Sequence, residues 1–284
     1  MKIPKALQPL IDDGIIDEVI RPLKSGKEAS VYVVRCGDVV RCAKVYKDMG
    51  QRSFQNRVTY QEGRQVRGSR QARAMARSTR FGRREQETAW KNTEVDALYR
   101  LAAAGVRVPE PVGYFNGVLV MEMITDAEGF SAPGLGDVEL GPEQAREFHA
   151  FLVGQIVRML CAGLIHGDLS EYNVLVGPEG PVIIDLPQVV SASGNNNARM
   201  MLIRDVNNIS ATLARFDPAL AAGKFGEEMW QLFEQGLLRP ETVLTGNFTS
   251  DEGPADVAGT LLAIEDAREE AIRRALAREA AELP

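Results

Sequence analysis

Cysteine is scarce and odd in number: Cys36, Cys42 and Cys161 are the full set, and none of their spacings suits a metal knuckle. A disulfide-stapled scaffold and a structural zinc site are therefore excluded, and reduced thiols in a cytoplasmic protein are expected. Long apolar runs are also missing. Residues 1–20 hold no uninterrupted apolar core, so no signal peptide is expected. No run approaches the roughly 18 residues of a membrane span, so no membrane partner is expected. Internal repeats are absent. Excess positive charge is absent as well: the net charge is -6 and the pI near 5.2, so the molecule as a whole is no general nucleic-acid binder. What remains is 284 residues with 45% hydrophobic content, enough for one large domain or two lobes around a cleft.

The richest stretch is residues 164–187, which carries His166, Asp168, Asn173 and Asp185 between short apolar runs. Val174 to Val176 and Val182 to Ile184 read as two strands of a hairpin, with Gly177-Pro178-Glu179-Gly180 as the turn. Asp168 and Asn173 lie on the loop entering it, and Asp185 leaves it. Two carboxylates and an amide thus meet at one edge. Phosphoryl transfer needs such a set: a carboxylate to orient the attacking oxygen, and oxygen ligands for magnesium. Protein kinases place Asn five residues after the catalytic Asp and a second Asp on the next strand. Asp168, Asn173 and Asp185 keep that order. Gly167 stands where the usual Arg would, which argues against control through an activation-loop phosphate.

Upstream, residues 4–18 read as a short helix and turn with Leu7, Leu10, Ile11 and Ile15 as its apolar set. Strand character begins at Val19, and a turn around Ser25-Gly26-Lys27 leads into Ala29 to Val34. A phosphate-covering loop wants three glycines. Only Gly26 is present, with Lys24 and Ala29 at the other two positions, and a plain hairpin turn serves equally well. Ala43-Lys44-Val45 resembles a kinase third strand, whose Lys meets the nucleotide phosphates. A solvent-facing Lys on an edge strand is the alternative. Residues 51–84 hold ten Arg, no Lys and one acid, Glu62. They read as an insertion that either contacts a polyanion such as RNA or an acidic protein, or is a solvated loop.

Trp90, Val95, Leu98 and Leu101 define a helix ended by Gly105, and Glu94 on it is the candidate partner for Lys44. Gly117 to Ile124 reads as an apolar strand running into an acidic hinge at residues 126–141. Backbone groups of Glu122 and Ile124 are placed to bond adenine there, with Met121 facing the base. Pro142 opens a helix marked by Phe148, Leu152, Ile156 and Met159, with His149 on its flank as a structural residue. Past Asp185 a helix begins at Ala198, with Met201, Leu202, Val206, Ile209 and Leu213 on one face. Asp205 in it is expected to be a buried or capping carboxylate beneath the loop. No Ala-Pro-Glu segment follows Asp185, so the usual activation segment has no sequence here. Further helices are expected over Phe225 to Leu238 and Leu261 to Ala275.

Several blocks together resemble the RIO family of atypical protein kinases: Ser25-Gly26-Lys27-Glu28-Ala29 with Val31-Tyr32; Trp90 with Glu94 and Leu98; Met121-Glu122; His166-Gly167-Asp168-Leu169-Ser170-Glu171-Tyr172-Asn173; and Ile184-Asp185-Leu186-Pro187-Gln188. The resemblance covers roughly residues 15–215. Gly167, the poor glycine loop and the missing activation segment are all features of that family. No clear winged-helix domain is present at the amino end, and the tail after 215 is unlike that of eukaryotic members, which fits a bacterial or shortened form.

The resemblance implies an α+β, two-lobed kinase-like fold that binds ATP with magnesium, or manganese in its place. It divides the chain into an N-terminal extension (1–18), an N-lobe (19–122) carrying the Arg-rich insertion 51–84, a C-lobe core (123–215) and a helical extension (216–284). It implies Lys44 on the phosphates, Glu94 holding it, Asp168 as the catalytic aspartate, and Asn173 and Asp185 on the metal. Ser25 and Lys27 would lie over the phosphates beside Gly26. Family members phosphorylate serine, often on themselves, and an ATPase cycle through the residue matching Asp185 has been proposed. Some assist maturation of the small ribosomal subunit. The expected function is a non-specific serine/threonine protein kinase or ATPase acting on itself or a protein acceptor. The alternatives are a small-molecule phosphotransferase of the aminoglycoside or choline kinase kind, and an ATP-switched factor binding RNA or ribosomal particles.

Overall fold

Valine-rich alternation in the first half of the chain builds a five-stranded antiparallel sheet. Its strands are β1 (Glu18–Ser25), β2 (Ala29–Cys36), β3 (Val39–Tyr46), β4 (Pro111–Phe115) and β5 (Val118–Glu122), in the order β1-β2-β3-β5-β4. The computed structural model describes residues 3–26, 29–47 and 93–248. Residues Met1–Asn247 form one compact unit; of the second, Phe248–Pro284, only Phe248 is described. The expected helix over Leu261 to Ala275, the Arg-rich insertion, Trp90 and Lys27 therefore lie outside the described residues.

Register decides which side chains share a face. Lys44 lies opposite Val31 and Leu119, and Cys42 opposite Val33 and Met121. Alternation then puts Cys42, Lys44 and Met121 on one face and Ala43, Val118 and Val120 on the other. The second face packs on Leu7, Leu10 and Ile16, all buried, at the short helix α1 (Gln8–Asp12) and the turn after it. Ile16 was not in the expected apolar set; it reaches the core because the chain reverses at Gly14, φ +70°. The β4–β5 turn, Asn116-Gly117, has both residues at positive φ, the conformation a two-residue hairpin requires.

Helix α2 (residues 93–103) buries Val95, Leu98 and Leu101 at helical spacing. It ends where Gly105 takes φ +72° and the Val106 N–H returns to Leu101 C=O. Among the described residues, the helical part holds α3 (Pro142–Cys161), α4 (Ala198–Leu213) and α5 (Phe225–Glu234), with two small ribbons. In one, β7 (Val174–Gly177) pairs with β8 (Gly180–Ile183); in the other, β6 (Leu164–Ile165) pairs with β9 (Val190–Ser191). Met229, Trp230 and Leu238 share one core with α3 and α4.

Three local expectations are corrected. The helix from Phe225 stops at Glu234, not Leu238, because Gly236 turns the chain at φ +67° and Leu232 C=O takes the N–H groups of Leu237 and Leu238. His149 does not lie on the flank of α3: it is buried, with its ring against Phe225 and Nε2 2.8 Å from Ser210 Oγ. The buried stripe runs through Ala145, His149, Leu152 and Ile156, one position round from Phe148. Finally, β5 ends at Glu122, since Ile124 C=O accepts the Ala132 N–H of the next reversal.

Candidate active site

Lys44 sits on an inner strand, so the edge-strand alternative does not hold. Its side chain is 12% exposed, and its Nζ contacts Glu94 Oε1 from α2 and Asp185 Oδ1 at 3.0 Å. Burial pulls its pKa down, but the charges and hydrogen bonds of Glu94 and Asp185 more than offset this, and the net shift is upward. Lys44 is an ammonium held between two carboxylates. The second Glu94 oxygen and the Tyr46 hydroxyl are also buried, and neither completes a hydrogen bond among the described residues. Burial first and Glu94 next push the Tyr46 phenol up.

The loop bearing Asp168 is gripped from below by one helix. Asp205 of α4 is 1% exposed and accepts the Gly167 N–H at 2.7 Å and the Leu169 N–H at 3.0 Å. Arg204 donates to Gly167 C=O, and Asn208 Nδ2 donates to Leu169 C=O at 2.9 Å. Gly167 has φ +81°, which accounts for glycine at a position where standard kinases carry Arg. Burial raises the Asp205 carboxyl to about 7; the two amides and Arg204 oppose that shift, and Asp168 adds to it. Asp205 was expected to be buried or capping. Its bonds to both flanks of Asp168, and the parts of Arg204 and Asn208, were not foreseen.

His166 ties the loop to the hairpin. Its Nδ1 accepts the Asp168 N–H at 3.3 Å, so its Nε2 carries the proton donated to Ile184 C=O at 3.1 Å. Burial lowers its pKa, in keeping with a neutral ring. Asn173 Nδ2 donates to Asp168 C=O at 2.8 Å, which leaves Oδ1 for a ligand. Asn173 C=O accepts the Ile184 N–H at 2.9 Å, next to Asp185. Asp185 is exposed and adopts φ +65°, a backbone state rare outside glycine and frequent at functional sites. Asp168 is exposed too.

The donors fit a hard cation that keeps waters and phosphates as further ligands: one carboxylate, Asp185, and one amide oxygen, Asn173. Among the described residues no group of three or more His, Cys, Asp and Glu forms a self-sufficient metal cage, so magnesium suits the set better than zinc.

At the β1–β2 turn, Lys47 donates to Ser25 Oγ at 2.9 Å and Gly26 C=O at 2.6 Å, and Ser25 Oγ lies 3.1 Å from Ser30 Oγ. Lys47, the residue after β3, was missed: nothing in the sequence around it names Ser25 or Gly26 as its partners. Among the described residues, a side chain at Gly26 would meet nothing closer than Ala29 C=O at 3.7 Å. At the hinge, Met121 shares the Lys44 face. The Glu122 N–H is committed to Glu110 C=O at 2.8 Å and so is not open to a base edge. Ile124 C=O is taken by Ala132, which leaves its N–H for that part.

A strand lysine paired to a helix glutamate, above a loop carrying Asp168 and Asn173, defines a two-lobed protein-kinase-like fold. The model of the RIO domain matches residues 30–223, and the chain belongs to the RIO family of atypical kinases. It is 34% identical over 210 residues to the RIO-type serine/threonine-protein kinase Rio1 of Haloferax volcanii, covering 72% of this chain and 66% of that one. It is 32% identical over 218 residues to serine/threonine-protein kinase rio1 of Schizosaccharomyces pombe, covering 74% of this chain and 41% of that one. With human serine/threonine-protein kinase RIO1 the identity is 30% over 213 residues, covering 74% and 36%. The matched stretch thus spans less than two thirds of each relative. Among the described residues no helix is long and apolar enough to cross a membrane.

Proposed function

We propose that the chain transfers the γ-phosphoryl group of ATP to a serine or threonine hydroxyl, on itself or on another protein, in the cytoplasm. The single observation that carries this reading is the junction of Lys44, Glu94 and Asp185, three residues from three distant elements meeting at one point. It is supported by relatives that bear the name serine/threonine-protein kinase.

In this reading Lys44, fixed by Glu94, meets the α and β phosphates. Ser25, Gly26 and Lys27 cover them, and the adenine edge bonds Glu122 C=O and Ile124 N–H beside Met121. Asn173 Oδ1 and Asp185 hold magnesium, which offsets phosphate charge when bound. Asp168 orients the acceptor hydroxyl. The acceptor oxygen bonds to the γ phosphorus, the bond to the β–γ bridging oxygen breaks, ADP leaves, and the hydroxyl proton passes to Asp168. Alignment and electrostatics, more than proton abstraction, supply the rate. The same site serves as an ATPase if Asp185 takes the phosphoryl group as an acyl phosphate that water then hydrolyses.

γ-Labelled ATP with purified protein tests this. Self-labelling or labelling of an added protein is expected, with hydroxylamine stability separating a serine ester from an acyl phosphate. Asp168→Ala should abolish transfer to hydroxyls and leave the melting temperature unchanged, because the side chain is exposed. Wild-type transfer from that variant would refute the role of Asp168. Turnover of small alcohols or aminoglycosides far above protein labelling would replace the protein acceptor with a small molecule.

A further inference from the structure

Arg107 lies between α2 and β4, outside every role above, yet it joins three elements that the site depends on. Its backbone N–H donates to Oε1 of Gln155, a buried residue of α3, at 2.7 Å. Its C=O accepts the Ile183 N–H of β8 at 3.0 Å, two residues before Asp185. Its main chain is therefore held by the helical part and by the Asp185 hairpin. Its guanidinium grips the last residue of the hinge strand, with Nη1 on Glu122 Oε2 at 2.7 Å and Nη2 on Glu122 Oε1 at 2.8 Å. Glu122 Oε2 takes the Glu110 N–H at 3.0 Å as well, so both carboxylate oxygens are committed.

We infer that Arg107 is a positioning residue: through its two-pronged grip on Glu122 it sets where the base-binding edge stands relative to Asp185, and so tunes nucleotide affinity and base selectivity. The inference rests on the reading that ATP binds at this hinge. The geometry suits register more than stability. The side chains are 31% and 25% exposed, where an ion pair contributes little free energy, but two parallel bonds to a planar fork fix direction as well as distance. The electrostatics agree from both sides. The Glu122 hydrogen bond holds Arg107 up against the pull of burial. At Glu122, burial pushes upward, but Arg107 and the Glu110 amide bring the carboxyl below its usual range. A lysine cannot reproduce the fork.

The test compares ATP and GTP in wild type, Arg107→Met, Arg107→Lys and Glu122→Gln, with calorimetric binding, steady-state kinetics and melting temperature read on each. For Arg107→Met the KM for ATP should rise about ten-fold and more than kcat falls, as displaced binding groups do. The ATP-over-GTP preference should shrink several-fold, Arg107→Lys should follow the Met variant, and Glu122→Gln should fall between. Equal weakening of ATP and GTP with kcat falling in step with melting temperature would overturn the inference, as would unchanged selectivity. If the Met variant fails to fold, Arg107→Lys and Glu122→Gln decide by the same measure. Wild type that takes up neither nucleotide with magnesium present would defeat the ATP reading itself, a result separate from any property of the variants.

Discussion

Removing the Lys44 ammonium should cost the fold as well as the chemistry. Glu94 is 6% exposed at its side chain, and Lys44 is its ion-pair partner among the described residues. In Lys44→Met that carboxylate loses its cation while remaining buried. Breaking a buried pair from one side costs about 3–5 kcal/mol, because the surviving charge is uncompensated. At roughly 2–4 °C per kcal/mol for a domain of this size, the melting temperature should fall by about 10 °C. Adding Glu94→Gln removes the stranded charge and should return most of the loss while phosphoryl transfer stays absent. The pH dependence gives a second check. In wild type the Lys44 pKa is raised on folding, so its contribution is full below the ordinary lysine range and is lost only as pH rises through the higher folded value. In Lys44→Met that alkaline loss should be absent. Thermal and urea unfolding of the four proteins in the cycle, at neutral and alkaline pH, would settle the matter. A Lys44→Met protein as stable as wild type, or a double variant no better than the single, would refute the argument.

Asp205 should give the fold a pH slope of opposite cause. Its carboxyl is raised on folding from 3.8 to about 7, so the folded state holds the proton more tightly between those values. Stability should decline as pH rises from about 4 to about 7, by a few kcal/mol, and the urea midpoint of Asp205→Asn should lose that decline; an unchanged slope in the variant would assign it elsewhere. Gly226→Ala should destabilise, since its Cβ would stand 2.9 Å from Ile203 Cα, and backbone cannot move aside as a side chain can. Overpacking of about 1–3 kcal/mol should outweigh the gain in helix propensity, and a higher urea midpoint would show that α4 and α5 meet differently.

The parts legible from sequence were those whose signal is local. The hairpin leading to Asp185 shows in period-two valines around a glycine turn, and α4 in the spacing of Met201, Leu202, Val206 and Ile209. Glu94 could be named because one acid lay beside an apolar stripe behind the strand. Polar residues whose partners lie far along the chain were not legible. Arg107, Lys47, Arg204 and Asn208 look like solvated side chains in a string of letters. They acquire meaning only when Glu122, Ser25, Gly167 and Leu169 are brought beside them. His149 shows a narrower failure: the helix was right and its rotation was off by one residue. The hinge shows another, since which backbone group of Glu122 remains for a ligand depends on Glu110, which no pattern names.

The grip of α4 on the Asp168 loop has a consequence for synthesis on the ribosome. Asp205 and Asn208 stand more than thirty residues downstream of the amides and carbonyl they hold. While α4 is still inside the exit tunnel, the emerging chain already contains Lys44, Glu94, Asp168 and Asn173, but the loop has nothing beneath it. If the site handles ATP as proposed, such a half-made chain should not yet turn it over, and competence should come only when the supporting helix clears the tunnel and docks.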